Sequence, residues 1–122
     1  MGLFLLVLSS VLGNTRSEVG WKADRADSIC GLDDVKTLSK PCKVSYGQLL
    51  EATSQYKKIK DNKILPDSPE GIQLKTEAAN VVRDACEKIR AKESYCSVWK
   101  EISHSDGRGV MDITELVKKE IK

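Results

Sequence analysis

The sequence predicts an α+β fold: a small antiparallel or mixed sheet, a short two-helix hairpin and a C-terminal helix. Three observations carry that expectation. Leu74, Ala78, Val81, Ala85 and Ile89 recur at the spacing of one helical face through "EGIQLKTEAANVVRDACEKIRAKES". The period then changes in "YCSVWKEIS", where Cys96, Val98 and Ile102 alternate with Ser97, Trp99 and Glu101 in company that suits a pleated strand. The chain closes on "ITELVKKEIK", a helical segment with apolar positions at Ile113, Leu116, Val117 and Ile121.

A chain of 122 residues can build one domain with one modest core. Residues 1–13 read as a signal-peptide-like segment. Leu3 to Gly13 is an apolar run too short to span a bilayer, and "VLG" before Asn14 offers small or apolar residues at cleavage positions, although no Lys or Arg precedes the run. Export to the periplasm, the cell envelope or the medium is expected. The formal charge of +2 is too small to argue for nucleic acid. No second apolar run follows, so stable membrane insertion is not expected.

Residues 14–41 form an irregular N-terminal arm in this reading, broken by "SKP" at Ser39 to Pro41. The folded domain spans 42–122, with the helical hairpin at about 47–91. It opens on a short strand in "CKVS" and turns helical, with Leu49, Ala52, Tyr56, Ile59 and Lys63 on one face. The basic run Lys57 to Lys63 reads as a solvated helix end. Pro66 is expected to end this helix. Ser68 is a natural N-cap for the next, and Pro69 fits its first position, where a missing N–H costs nothing.

Cys30, Cys42, Cys86 and Cys96 make an even count, which in a small exported chain favours disulfides. Metal binding is disfavoured, because no CxxC occurs and His104 is the only histidine. Four cysteines permit three pairings. If Cys86 lies about five residues before a helix end, the helix rise there is roughly 7–8 Å, and a returning strand covers a similar distance by Cys96. Cys86–Cys96 with Cys30–Cys42 is therefore the first expectation, and the alternative joins Cys42 to Cys96.

"HSDGRGVMDITE", residues 104–115, imitates a calcium loop and fails the chemistry. His104 stands at its first ligand position and Arg108 at its fifth, where oxygen is required. The stretch reads better as a turn, a short strand and a capping box in which Asp112 caps the N–H of residue 115 and Glu115 reaches back. His104 with Ser103, Ser105 and Asp106 cannot hold triad geometry on adjacent turn positions. No catalytic set and no cofactor is expected, so the chain reads as non-enzymatic.

"KVSYGQLLEATSQYKKIK", "KIRAKESYCSVWKEIS" and "DGRGVMDITELVKKEIK" together resemble the OmpH/Skp family of exported periplasmic chaperones, over residues 43–60 and 88–122. The resemblance implies export and the binding of other polypeptides, unfolded or outer-membrane proteins among them. That family places two long coiled-coil helices between these ends, and here only about 30 residues, 61–91, fill the gap. At the helical rise per residue the second helix reaches about 35 Å at most and the first about 20 Å, a hairpin too short to enclose a client. The seam Leu74, Ala78, Val81, Ala85 and Ile89, which a two-helix hairpin cannot bury alone, is the expected surface for self-association or a protein partner. The alternative reading is a small secreted, disulfide-stabilised ligand carrier, inhibitor or immunity-type binder.

Overall fold

The computed structural model describes residues 20–121. The signal-peptide-like segment 1–13 and the start of the arm, 14–19, lie outside the described residues. The fold is α+β, as the sequence predicts. In chain order the strands are β1 (Trp21–Lys22), β2 (Ser28–Gly31), β3 (Pro41–Lys43), β4 (Ser97–Trp99), β5 (Ser103–His104) and β6 (Met111–Asp112). The helices are α1 (Tyr46–Glu51), α2 (Ser54–Asp61), α3 (Pro69–Lys92) and α4 (Thr114–Glu120).

Ser68 and Pro69 start α3 as expected. The Ser68 hydroxyl accepts from Gly71 N at 3.1 Å, Pro69 opens the helix, and Arg90 and Lys92 in the last turn complement the dipole. Its 24 residues span about 36 Å. The preceding helix departs from expectation. Thr53, fully buried, donates to Leu50 O at 2.6 Å and accepts from Tyr56 N at 3.2 Å, which closes α1 and caps α2 as separate helices. It also stops at Asp61, before Pro66, where Lys63 takes a positive φ of 52°.

A second departure lies in the first turn of α3. A Cβ at Gly71 would sit 2.2 Å from the Leu65 carbonyl oxygen and 2.9 Å from that of Pro66, both backbone atoms. Helix propensity alone favours alanine over glycine by about 1 kcal/mol. The clash reverses the sign: Gly71→Ala is expected to destabilise the protein by about 1–2 kcal/mol in urea unfolding. Equal or greater stability in the variant would show that the 65–68 turn gives way freely.

The main sheet runs β2-β4-β3-β6. β2 pairs antiparallel with β4, while β3 pairs parallel with both β4 and β6, so the sheet is mixed. β1 and β5 form a separate two-stranded antiparallel ribbon with Trp21 opposite His104. Central strand β4 is buried on both faces. Val98 faces α3 and joins a core with Leu49, Val82, Cys86, Ile113 and Val117. Trp99 faces the other way and packs with Leu38 and Ile102, flanked by Trp21 and Val35.

The arm therefore corrects the sequence reading. Within residues 20–41 the structure holds β1, β2, the first residue of β3 and two 3₁₀ turns, at Arg25–Asp27 and Val35–Thr37. Asp24 and Asp34 cap the turns through the N–H groups of Ala26 and Lys36. This segment supplies an edge strand and covers the sheet's second face. The reason is geometric. A strand buried on both sides needs a second apolar layer, and Trp21, Val35 and Leu38 provide it.

Candidate functional site

The expected helix seam is not an open surface. Leu74, Ala78, Ala85 and Ile89 are buried and Val81 is partly so. A bare two-helix hairpin would leave them exposed, but α3 packs on α1, α2, α4, β2 and β4 within the same chain. Val117 of α4, fully buried, is part of that cover. The large apolar side chains left exposed lie elsewhere and include Leu65, Ile72 and Met111.

All four cysteines are free thiols, so neither expected pairing is made. Cys30 and Cys42 both align with Val98, from β2 on one side and β3 on the other. Two strand spacings separate them, about 9.6 Å between Cα atoms, beyond the roughly 7 Å that a disulfide spans. Cys86 belongs to the core under α3, whereas Cys96 packs with Trp99, Leu38 and Ile102 across the sheet. The alternative pairing of Cys42 with Cys96 meets the same barrier. The Cys42 thiol lies in the α3 core and donates to Ser97 O at 3.3 Å.

Burial pushes the Cys30, Cys42 and Cys86 thiols up to about 12, with Glu87 adding to the effect at Cys30 and neighbouring thiols adding at the other two. Cys96 goes the other way. Burial raises it, but hydrogen bonds from the Ser97 hydroxyl and from Lys40 and Ser39 outweigh that and bring it below the usual thiol range. Its sulfur accepts from Lys40 N at 3.4 Å.

A turn follows β5 at Ser105 and Asp106, one residue later than expected, with Gly107 at φ 82°. His104 sets its ring edge-on to Trp21 at 4.7 Å, and its Nδ1 lies 2.8 Å from Asp106 Oδ1. Arg108 grips the same carboxylate at 2.6 and 2.9 Å, and this guanidinium holds the Asp106 carboxyl well below the usual carboxylate range. The acid of the calcium-loop imitation is thus spent on an arginine. Its capping box is also corrected. Asp112 accepts from the N–H of Thr114 at 2.9 Å rather than from residue 115, because α4 starts at Thr114 and the aspartate makes a tight two-residue turn. The Thr114 hydroxyl oxygen in turn accepts from Ser45 N at 2.8 Å, which joins the starts of α1 and α4. "KVSY" and "DIT", far apart in sequence, are thereby neighbours in space.

One surface combines several chemistries. An open groove of about 300 Å³ is lined by Trp21, Lys40, Pro41, Tyr95, Arg108 and Met111, among others. Lys40 Nζ stands 4.7 Å above the Tyr95 ring, and the Arg108 guanidinium lies 5.9 Å from that of Trp21. Met111 is 60% exposed on β6, the end strand of the sheet. The groove residues come from four separate segments, at 21, 39–41, 95 and 108–111, so no periodicity in the sequence could have pointed to the set. A larger crease beside Tyr56, Lys57 and Ile59 is drawn from the α1–α2 segment alone. No helix among the described residues is long and apolar enough to cross a membrane. Comparison of the chain with known protein families, curated proteins and solved structures finds no match.

Proposed function

We propose that the chain is an exported, non-catalytic protein-binding module that takes an extended, acidic and apolar segment of a partner polypeptide along the β6 edge. The groove where β6 and its neighbour β3 begin carries the reading. Aromatic and apolar walls from Trp21, Tyr95 and Met111 meet the Lys40 ammonium and the Asp106-paired Arg108 guanidinium, beside a strand with no paired neighbour on its outer side among the described residues. A sheet edge supplies main-chain hydrogen bonds to an added strand, and pockets beside it read alternate side chains. Anchors of aromatic and arginine type dominate such contacts. The Lys40 charge sets the sign of the partner's charge.

The OmpH/Skp-like ends of the sequence support export and polypeptide binding. The filled helix seam and the short hairpin argue against a client held between long helices and favour the groove as the binding surface. A secreted ligand carrier, inhibitor or immunity-type binder is the second reading, favoured by the clustering of the cysteines.

The test is titration with a synthetic extended peptide that alternates apolar and glutamate residues, beside a copy with lysine in place of glutamate. Met111→Glu and Lys40→Glu are both surface changes that leave the core intact, and each is expected to weaken binding of the acidic peptide about tenfold. Unchanged affinity in both variants, or equal binding of the lysine peptide, overturns the groove reading. Chaperone action is a separate measurement. A protein that binds the peptide but fails to slow aggregation of an unfolded outer-membrane protein is a binder and not a chaperone.

A further inference from the structure

Three thiols in the core have no part in the groove. Cys42 and Cys86 are fully buried beside Val98, and half-buried Cys30 packs against the same cluster. The strand register sets Cys30 and Cys42 too far apart to join, as shown above. Cys86 projects from α3, which packs directly on β2 and β4. The turn of α3 that carries it lies against β2 at Cys30. Glu87 interacts with the Cys30 thiol, and a Cβ on the next residue, Gly31, would come within 3.0 Å of Arg90 Cδ. Cys42 has its own partner in the Ser97 carbonyl, and Cys96 lies across the sheet.

We propose that Cys30 and Cys86 form a disulfide bond, fastening the edge strand β2 to the long helix, when the protein meets a small-molecule or protein disulfide as oxidant. Access sets the order of events. Of the two, Cys30 is only partly buried and Cys86 is closed to solvent, so exchange starts at Cys30, slowly because burial keeps that thiol protonated. The Cys30 thiol gives up its proton and attacks one sulfur of the oxidant. The oxidant's S–S bond breaks, and one half leaves as a thiolate that takes up a proton. Cys86 then loses its proton and attacks the Cys30 sulfur of the mixed disulfide. The Cys30–Cys86 bond forms and the second half of the oxidant leaves as a thiol. Two protein thiols lose two protons and two electrons, and the oxidant becomes two thiols.

The experiment equilibrates the full chain in a buffer of reduced and oxidised glutathione, quenches with acid, blocks remaining thiols by alkylation in denaturant, and maps linked peptides by mass spectrometry. The expected result is a peptide pair joining Cys30 to Cys86, two hydrogen atoms lighter than its separate parts. In Cys86→Ala the second attack cannot occur, and glutathione is expected to remain on Cys30. Circular dichroism of that variant checks that it is folded. Cys30 linked to Cys42 or Cys96, or both Cys30 and Cys86 still open to alkylation at equilibrium, overturns the proposal. The outcome is independent of peptide binding at the groove.

Discussion

Trp99→Ala is expected to lower the free energy of unfolding by about 3–5 kcal/mol, the range for removing a fully buried large aromatic. Trp99 is completely buried, and its Nε1 donates to the Ser97 hydroxyl at 2.7 Å. Truncation removes the wall against which Leu38 and Ile102 pack. It also takes the indole donor from a buried hydroxyl. Small domains hold about 5–15 kcal/mol in total, so the variant should sit near the edge of folding at 37 °C. Urea unfolding followed by far-ultraviolet circular dichroism measures the loss. A change below about 1 kcal/mol would mean that the second face of the sheet is not a true core.

Gly31→Ala is the second severe change, expected to cost about 2–4 kcal/mol. Two penalties add at this site. Gly31 has φ 85°, which disfavours any side chain, and its Cβ would lie 2.4 Å from Cys96 O and 2.8 Å from Ser97 Cα. Both obstacles are backbone atoms in or next to the central strand, so neither can swing aside. Gly107→Ala separates the two penalties, since Gly107 has φ 82° and open space where its Cβ would fall. That control should cost only about 1 kcal/mol. Thermal unfolding of the pair tests the difference, and equal losses would refute the close approach at Gly31.

Much of the frame was legible where one physical signal dominated. The long helix α3 announced itself through a sustained seam and through Ser68 and Pro69 at its start. β4 showed through its change of period, and α4 through its apolar spacing. Other parts were hidden for definable reasons. β2 has four residues and an irregular register between Ser28 and Cys30, so no alternation can develop. The break between α1 and α2 depends on a buried threonine hydroxyl that turns back on the backbone, while the apolar spacing continues across it. The cysteine geometry follows from which strands are neighbours, and local spacing carries none of that. Trp21, Lys40, Tyr95 and Arg108 meet only after the fold has closed, so the groove had no linear signature.

The strand order has a further consequence, for how the chain comes to fold. In the main sheet no two paired strands are joined by a hairpin: Cys30 waits for Val98, Cys42 for Val98 and Met111. Every such pairing closes a long loop, which makes the sheet a late event and gives the chain a high contact order. Helix α3 can start on local interactions, but it finds its floor only when β4 arrives. While the C-terminal segment is still being synthesised, the earlier strands have no partners to hold. A chain built in this way cannot complete its main sheet until the β6 segment has been made, so a synthesis stall ahead of Met111 leaves β3 with one side unpaired.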